Sequence, residues 1–501
     1  MKPLRLSEIA NMAGGRLQGE DRTVDAVATD TRVLPTQGSA LFVALKGERF
    51  DGHDSLTAFV GGASAPTAFV ATPVGAEAPP TKAVAGALVS RTLDIDLPQI
   101  VVADTERALA AFAAALQSGR EAKVFAITGS NGKTSVKTLL LSILKQVGGK
   151  TAYANPGNRN NEIGLPLAVI DAPEGAAFAI YEMGAGKPGD IAYLTDIARP
   201  DVSLVNNIAP AHLERMGSLL GVADTKAAIY DALPTNGTAV INADDAFAPY
   251  FAERAHGRRI LRFGLDASAD LTARGIRATE EGMRFVLVSP SGESEIRLQL
   301  PGRHNVSNAL AAAGMALSAE VALQDIVAGL EAARSVAGRL ISHALEHGVQ
   351  LIDDSYNANP GSLNAAIGTL AGQGGESWLV LGDMRELGAD AQALHAEAGR
   401  RAKSAGIARL YALGTLSAAA AEAFGEGARA FGTHAALAEA LRADLQDFAD
   451  GAAALATAAG VAGADAAPVR LRVLVKGSRG SAMDRVVTAL LPDGEGAAHA
   501  A

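Results

Sequence analysis

No cysteine occurs in the 501 residues. That excludes disulfides, thiolate catalysis and cysteine-ligated metals, and it suits a reducing compartment. A positive charge excess is missing too: the formal net charge is −10. Wholesale nucleic-acid binding is therefore not expected, and any anionic ligand must be met by local clusters of cations. The first residues, Met1 to Glu8, lack the apolar core of a signal peptide. No uncharged apolar run is long enough to cross a bilayer as a helix. The expectation is a soluble cytoplasmic protein with no membrane insertion. Internal repeats and an apolar association stripe are absent as well, so a monomer is expected. What remains is a chain with 49% hydrophobic residues, ample for buried cores, and a length that suits roughly two to four domains.

The most informative stretch is Gly129-Ser130-Asn131-Gly132-Lys133-Thr134-Ser135, preceded by Thr128. The apolar run Val124–Ile127 before it reads as a buried strand. Val136, Leu139, Leu140, Ile143, Leu144 and Val147 after it mark one face of a helix. Strand, glycine loop, Lys-Thr and helix make a phosphate cradle. The glycines let the backbone approach oxygens closely, the helix N-terminus presents free N–H groups, and Lys133 adds positive charge. ATP or GTP is the implied ligand. Two residues separate the glycines, where the usual Walker A pattern has four.

Up to about residue 103, short apolar runs alternate with glycine and proline, as at Ala40–Leu45, Ala68–Ala71 and Ile100–Val102. From about 104 to 335 the order is strand, loop, helix, with strands expected at Phe178–Tyr181, Val202–Val205, Ala239–Ile241 and Ile260–Phe263. A helix is expected from about His304-Asn305 through Leu317. From about 336 to 501 strands at Val349–Ile352, Trp378–Leu381, Leu410–Leu413 and Leu471–Val475 alternate with helices. The fold class that follows is α/β in three domains (1–103, 104–335, 336–501), with mostly parallel sheets covered by helices. Residues 449–468, rich in alanine and glycine, read as an insertion loop or a loosely specified helix, and the tail from Asp493 as disordered.

A phosphate cradle calls for Mg²⁺, and Mg²⁺ calls for oxygen ligands. Thr134 is one candidate. Glu182, at the end of the strand at Phe178–Tyr181, is another, because ligands gather at the carboxyl ends of strands in α/β sheets. His212, in a loop after the next strand, reads as a metal ligand, as a residue that orients one, or as an ordinary surface histidine. By composition alone Lys226 reads as a solvated helix lysine. The loop Asn155–Pro166, which contains Asn160 and Asn161, is dense in amides and glycines and reads as a functional loop or a turn. In the last third, Asp353–Pro360, Leu381–Gly388 and Lys476–Gly480 each follow a strand. Three polar loops at the ends of parallel strands suggest one shared ligand face.

Taken together, these stretches resemble the Mur ligase family over nearly the whole chain. The shortened glycine loop is the family's own form of the motif, and the set of three C-terminal loops is more specific than any one of them. The resemblance implies a small N-terminal UDP-binding domain, a central P-loop ATPase-type domain and a C-terminal Rossmann-like ligase domain. It implies ATP-driven amide bond formation through an acyl phosphate, in peptidoglycan precursor synthesis. The substrates would be a UDP-N-acetylmuramoyl-tripeptide and D-alanyl-D-alanine.

The resemblance also assigns roles. Lys133, Glu182, His212 and Lys226 would be catalytic, and Thr134, Glu182, His212 and Lys226 would hold two Mg²⁺ ions. Lys226 falls where the family carries a CO₂-modified (carbamylated) lysine; two residues on, where relatives often have Glu, stands Ala228. Gly129 through Ser135 would cradle phosphate, Asn305 and Asn308 would contact adenine, Arg339 phosphate and Asp354 ribose. Thr31, Arg32, Lys46 and Gly47 look like UDP-sugar loops: Arg32 and Lys46 supply charge for a diphosphate and Gly47 allows close backbone approach. Asn160, Asn161, Asn357 and Asn359 would meet the peptide substrates. Two rival readings stand beside this one. The first is a ligase with another acceptor, including folylpolyglutamate-synthase-like chemistry, against which the UDP loops argue. The second is an ATP-binding switch without ligase chemistry.

Overall fold

The computed structural model describes residues 1–35, 38–47, 49–61, 84–210, 212–279, 281–336, 338–458 and 470–491, without the side chains of 452–458. The expected strand at 68–71 and the tail from Asp493 lie outside the described residues.

Three main sheets follow one another along the chain. The first has five strands in the order Arg16–Gln18, Gln99–Val101, Val84–Val89, Ala40–Val43, Ala26–Ala28. All neighbours are parallel except at the Arg16–Gln18 edge. Ala28 pairs with Phe42, so the loops carrying Thr31-Arg32 and Lys46-Gly47 leave the carboxyl ends of adjacent strands. Helix Thr105–Ser118 begins where the Asp104 carboxylate accepts from the backbone N–H groups of Glu106 and Arg107. Its Leu109 and Phe112 join one apolar core that runs from Leu6 and Leu41 through to Tyr181 and Ile241 of the next sheet.

The second sheet has six parallel strands, ordered Arg259–Phe263, Thr238–Asn242, Val202–Val205, Lys123–Thr128, Phe178–Glu182, Ala152–Ala154. The chain starts in Lys123–Thr128, fills one side of it, then crosses to the other. The glycine loop thus leaves the strand at which the order reverses, the place where open α/β sheets bind ligands. Helix Lys133–Leu144 buries Val136, Leu139, Leu140, Ile143 and Leu144. It ends before Val147, which the apolar spacing had included; Gly148 and Gly149 follow, and glycine is a poor helix former.

A three-stranded antiparallel sheet, Thr272–Thr279, Gly282–Ser289 and Gly292–Leu298, was not expected. Its sequence signal is alternation: Met283, Phe285 and Leu287 point to the core, with exposed Arg284 between the first two. The last sheet has six strands, ordered Ile341–Leu345, Val349–Asp354, Leu471–Lys476, Glu376–Gly382, Arg409–Leu413, Ala428–Phe431, antiparallel only at the first pair. The three polar loops follow its second, third and fourth strands. Helix His434–Ala458 runs through the first part of 449–468, and 459–468 lie outside the described residues. Among the described residues no helix is long and apolar enough to cross a membrane.

Candidate active site

A cavity of about 870 Å³ opens between the central and last sheets. The glycine loop forms one wall. Gly132 has φ 77° and caps helix Lys133–Leu144 with no side-chain hydrogen bond, so the helix N-terminus stays free for an anion. A Cβ on Gly132 would collide with the amides of Asn206 and Asn308, which is why the loop needs glycine there.

An amide network holds the loop from behind. Asn207 Oδ1 accepts from the Asn131 N–H at 2.9 Å, and Asn206 Nδ2 donates to Asn131 O and to Asn308 Oδ1, both at 3.0 Å. Asn308 Nδ2 donates to Asn305 Oδ1 at 3.1 Å, and Asn305 Nδ2 to Pro301 O at 2.8 Å. Ser130 Oγ donates to Ala209 O at 3.0 Å. Asn305 and Asn308 both line the cavity, and part of each amide is already engaged in this support.

Lys133 Nζ donates to Gly129 O at 2.8 Å across the loop. Burial holds its ammonium below the usual lysine range, with Glu182 opposing that shift and Arg339 adding to it. Thr134 Oγ1 donates to Glu182 Oε2 at 2.9 Å. Glu182 is buried; burial pushes its carboxyl up, but Lys137 and Lys133, with hydrogen bonds from Asn160 and Thr134, outweigh burial and hold it below the usual carboxylate range. Asn160 Nδ2 reaches Glu182 Oε1 at 2.9 Å. Asn161 also lines the cavity, while its Oδ1 accepts from Gly164 N–H at 2.8 Å.

Lys226 is not the solvated lysine that composition suggests. It is 2% exposed and lines the cavity. Burial, aided by the Lys133 charge and opposed by Asp190, lowers its pKa to about 7. Among the described residues its ammonium makes no hydrogen bond. His212 stands on the same cavity, in the left-handed region at φ 54°. Its Nδ1 lies 2.6 Å from Glu386 of the last sheet's Leu381–Gly388 loop. Burial lowers its pKa; Glu386 works against that, and Lys226 and Lys133 add to it.

The last third supplies the opposite wall. Arg339 donates to Thr134 Oγ1 at 3.0 Å and stacks on Tyr356, 4.4 Å from the ring centre. Asp354 pairs with Lys476 at 2.5 Å; burial pushes its carboxyl up while Lys476 pulls it down, and burial prevails. Asn359 Nδ2 donates to Asn131 Oδ1 at 2.7 Å, a direct tie between this wall and the glycine loop, and its Oδ1 caps helix Pro360–Ala371. Asn357 lines the cavity, its Oδ1 accepting from Ala358 N–H. Of the three polar loops, Asp353–Pro360 and Lys476–Gly480 contribute lining residues, whereas none of Leu381–Gly388 lines the cavity and its Glu386 only backs His212.

Thr31, Arg32, Lys46 and Gly47 do not line this cavity. Arg32 is 82% exposed and paired with Asp30 at 2.7 Å. A Cβ on Gly47 would collide with the Phe50 ring. Tyr356, Lys476 and Glu386 lie in the three polar loops that the sequence singles out, where they carried no individual role. Sequence reasoning missed Lys137, whose local trace is a charged residue in the apolar stripe with Leu140 and Leu144.

Residues 127–316 match the Mur ligase middle domain, and 338–479 match the Mur ligase glutamate ligase domain. The chain is 42% identical to the UDP-N-acetylmuramoyl-tripeptide–D-alanyl-D-alanine ligase of Escherichia coli K12, covering 99% of this chain and 100% of that one. It is 35% identical to the enzyme of the same name from Mycobacterium tuberculosis H37Rv, covering 98% of each. A crystal structure of MurF from Acinetobacter baumannii superposes with a TM-score of 0.85 at 31% identity, covering 98% of this chain and 99% of that one.

Proposed function

The chain belongs to the Mur ligase family, and we propose that it performs the ligation for which its full-length relatives are named. D-Alanyl-D-alanine is joined to UDP-N-acetylmuramoyl-tripeptide, driven by ATP. One observation carries this reading: the glycine loop, Glu182, His212 and Lys226 share a single cavity with Asp354, Asn357, Asn359 and Lys476. Nucleotide chemistry and an acceptor site therefore face each other. In this reading the chain divides near residues 103 and 335 into units for the UDP-sugar, for ATP and for the dipeptide.

The tripeptide's terminal carboxylate takes the γ-phosphoryl group of ATP, giving an acyl phosphate and ADP. The dipeptide amine attacks the acyl carbon, the amide bond forms, and inorganic phosphate leaves with the carbon–oxygen bond broken. The difficulty is an anion attacking an anion. The N–H groups at residues 132–134 and the Lys133 ammonium meet the triphosphate and take up charge on the transferred group. Arg339 reaches the same phosphates from the opposite wall. Closure of the cavity around the substrates would keep water from the acyl phosphate. Arg32 and Lys46, on adjacent strand ends of the first sheet, hold the UDP diphosphate.

The donor set fits Mg²⁺. Thr134 and Glu182 place a hydroxyl and a carboxylate 2.9 Å apart beside the loop, the hard oxygen ligands this ion prefers. Among the described residues no three His, Asp or Glu side chains converge on one metal-sized point, so a bound ion would draw its remaining ligands from phosphate and water, as is usual for Mg²⁺. Bound there, the ion offsets the repulsion between carboxylate and triphosphate. Lys226 as an ammonium ligates nothing. With a pKa of about 7 much of it is free amine near neutral pH; the amine nitrogen bonds to the carbon of CO₂, a proton leaves, and the carbamate offers two oxygens beside His212 for a second ion.

The test is phosphate release from ATP with the purified protein. Release is expected only when UDP-N-acetylmuramoyl-tripeptide and D-alanyl-D-alanine are both present. Release that ignores the dipeptide, or that runs better with another acceptor, contradicts the assignment.

A further inference from the structure

Lys137 stands on helix Lys133–Leu144 one turn beyond Lys133, and only 6% of it is exposed. It does not line the cavity. A buried ammonium is tolerated when its charge is matched and its donors are filled. Its Nζ donates to Asn155 O at 2.9 Å and Gly157 O at 3.1 Å, and forms an ion pair with Glu182 Oε2 at 3.3 Å. Nucleotide helix, amide loop and strand end therefore meet on one nitrogen. An apolar side chain would fill the same helical position with less desolvation, so packing does not account for the charge.

The loop is laced to the same strand end by its own amides. Asn155 Oδ1 accepts from Glu182 N–H at 2.9 Å, its Nδ2 donates to Glu182 O at 3.1 Å, and Gly184 N–H donates to Asn160 O at 2.8 Å. Those bonds tie the loop to the sheet. Only Lys137 ties it to the nucleotide helix through a charged group. Resting on the ligase reading above, we propose that Lys137 is a positioning residue for the reaction: its ammonium fixes the loop at 155–162 and the Glu182 carboxylate relative to the phosphate cradle. It thereby sets Asn160 and Asn161, the peptide-side wall, against the nucleotide. It also gives Glu182 a standing counter-charge, which leaves Lys133 for phosphate.

The experiment compares wild type with Lys137→Met, close in shape but uncharged, and Lys137→Gln, which keeps a donor but no charge. KM for UDP-N-acetylmuramoyl-tripeptide and kcat come from phosphate release, Kd for ADP from calorimetry, and loop mobility from amide hydrogen exchange. Lys137→Met is expected to raise that KM and lower kcat at least tenfold each, with the ADP Kd within threefold of wild type. Exchange at 155–162 should quicken at least tenfold while 133–144 holds. Lys137→Gln should fall between. A tripeptide KM within threefold of wild type overturns the proposal, and so does an ADP affinity that falls as far as tripeptide affinity. If Lys137→Met does not fold, Lys137→Gln decides on the same two ratios; if neither folds, the residue serves folding and the proposal fails. A wild type that releases no phosphate with both substrates refutes the ligase reading alone, and hydrogen exchange still judges the wiring.

Discussion

The glycine loop and the N-terminal loops carry their charges in opposite ways. Around the glycine loop, Lys137, Glu182, Asn206, Asn305 and Asn308 are buried, and each is bonded to another part of the same wall. In the first sheet, Arg32 is 82% exposed and held only by Asp30 two residues away. Val33 and Phe50 stand out beside these loops at 76% and 59% exposure. One region is wired together before any ligand arrives; the other presents exposed cations and exposed apolar side chains. A buried amide left unpaired costs about 1–3 kcal/mol, whereas an exposed ion pair adds little to stability. Changes in the cradle should therefore touch chemistry and fold, and changes in the N-terminal loops affinity alone.

The largest effect should come from Lys133→Ala, with kcat down about 10³-fold and a lowered thermal midpoint, because its bond to Gly129 O across the loop is lost. Near-normal phosphate release would remove the cradle from the comparison. Lys226→Ala follows, with a loss of about 10²-fold that short carboxylic acids partly restore by standing in for the carbamate oxygens; full activity in the variant breaks the carbamate assignment.

Much of this was legible because its signals are local. The strand ending at Thr128, the glycines and the helix face at Val136–Leu144 lie within one short stretch. So do the apolar runs that became strands Phe178–Glu182, Val202–Val205 and Leu471–Lys476. The antiparallel sheet at Thr272–Leu298 was missed because its alternation is short and blurred: Arg284 marks the outer face between Met283 and Phe285, but the next outward position is the apolar Val286. Lys137 was missed because its partners are remote, Asn155 being 18 residues away. Lys226 shows the same limit from the other side. Its helix has polar and apolar residues all round, and only the packed structure shows that this lysine faces inward.

Smaller effects sharpen the contrast. Arg32→Ala should raise KM for UDP-N-acetylmuramoyl-tripeptide about tenfold while KM for ATP and the melting temperature stay put; a fall in melting temperature would mean the N-terminal loops are wired after all. A separate effect, on stability, concerns His304 in the cavity wall, whose pKa burial, with help from Lys476, lowers to about 4. The unfolded chain binds that proton more readily between about pH 6.5 and 4, so folding stability falls as pH drops through that window. Wild type should lose about 3 kcal/mol more than His304→Asn between pH 7 and 4, read by denaturant titration at pH 7, 5 and 4. Equal losses would mean the ring is solvated in the folded protein.

The central claim is that the chain between Ile127 and Val136 wraps the terminal phosphates of ATP and presents them to a carboxylate. A crystal structure with Mg²⁺ and a non-hydrolysable ATP analogue tests it most directly. The account predicts the γ-phosphate within hydrogen-bond distance of Lys133 Nζ, with the ion between it, Thr134 and Glu182. A nucleotide bound elsewhere, with the glycine loop empty, would contradict it.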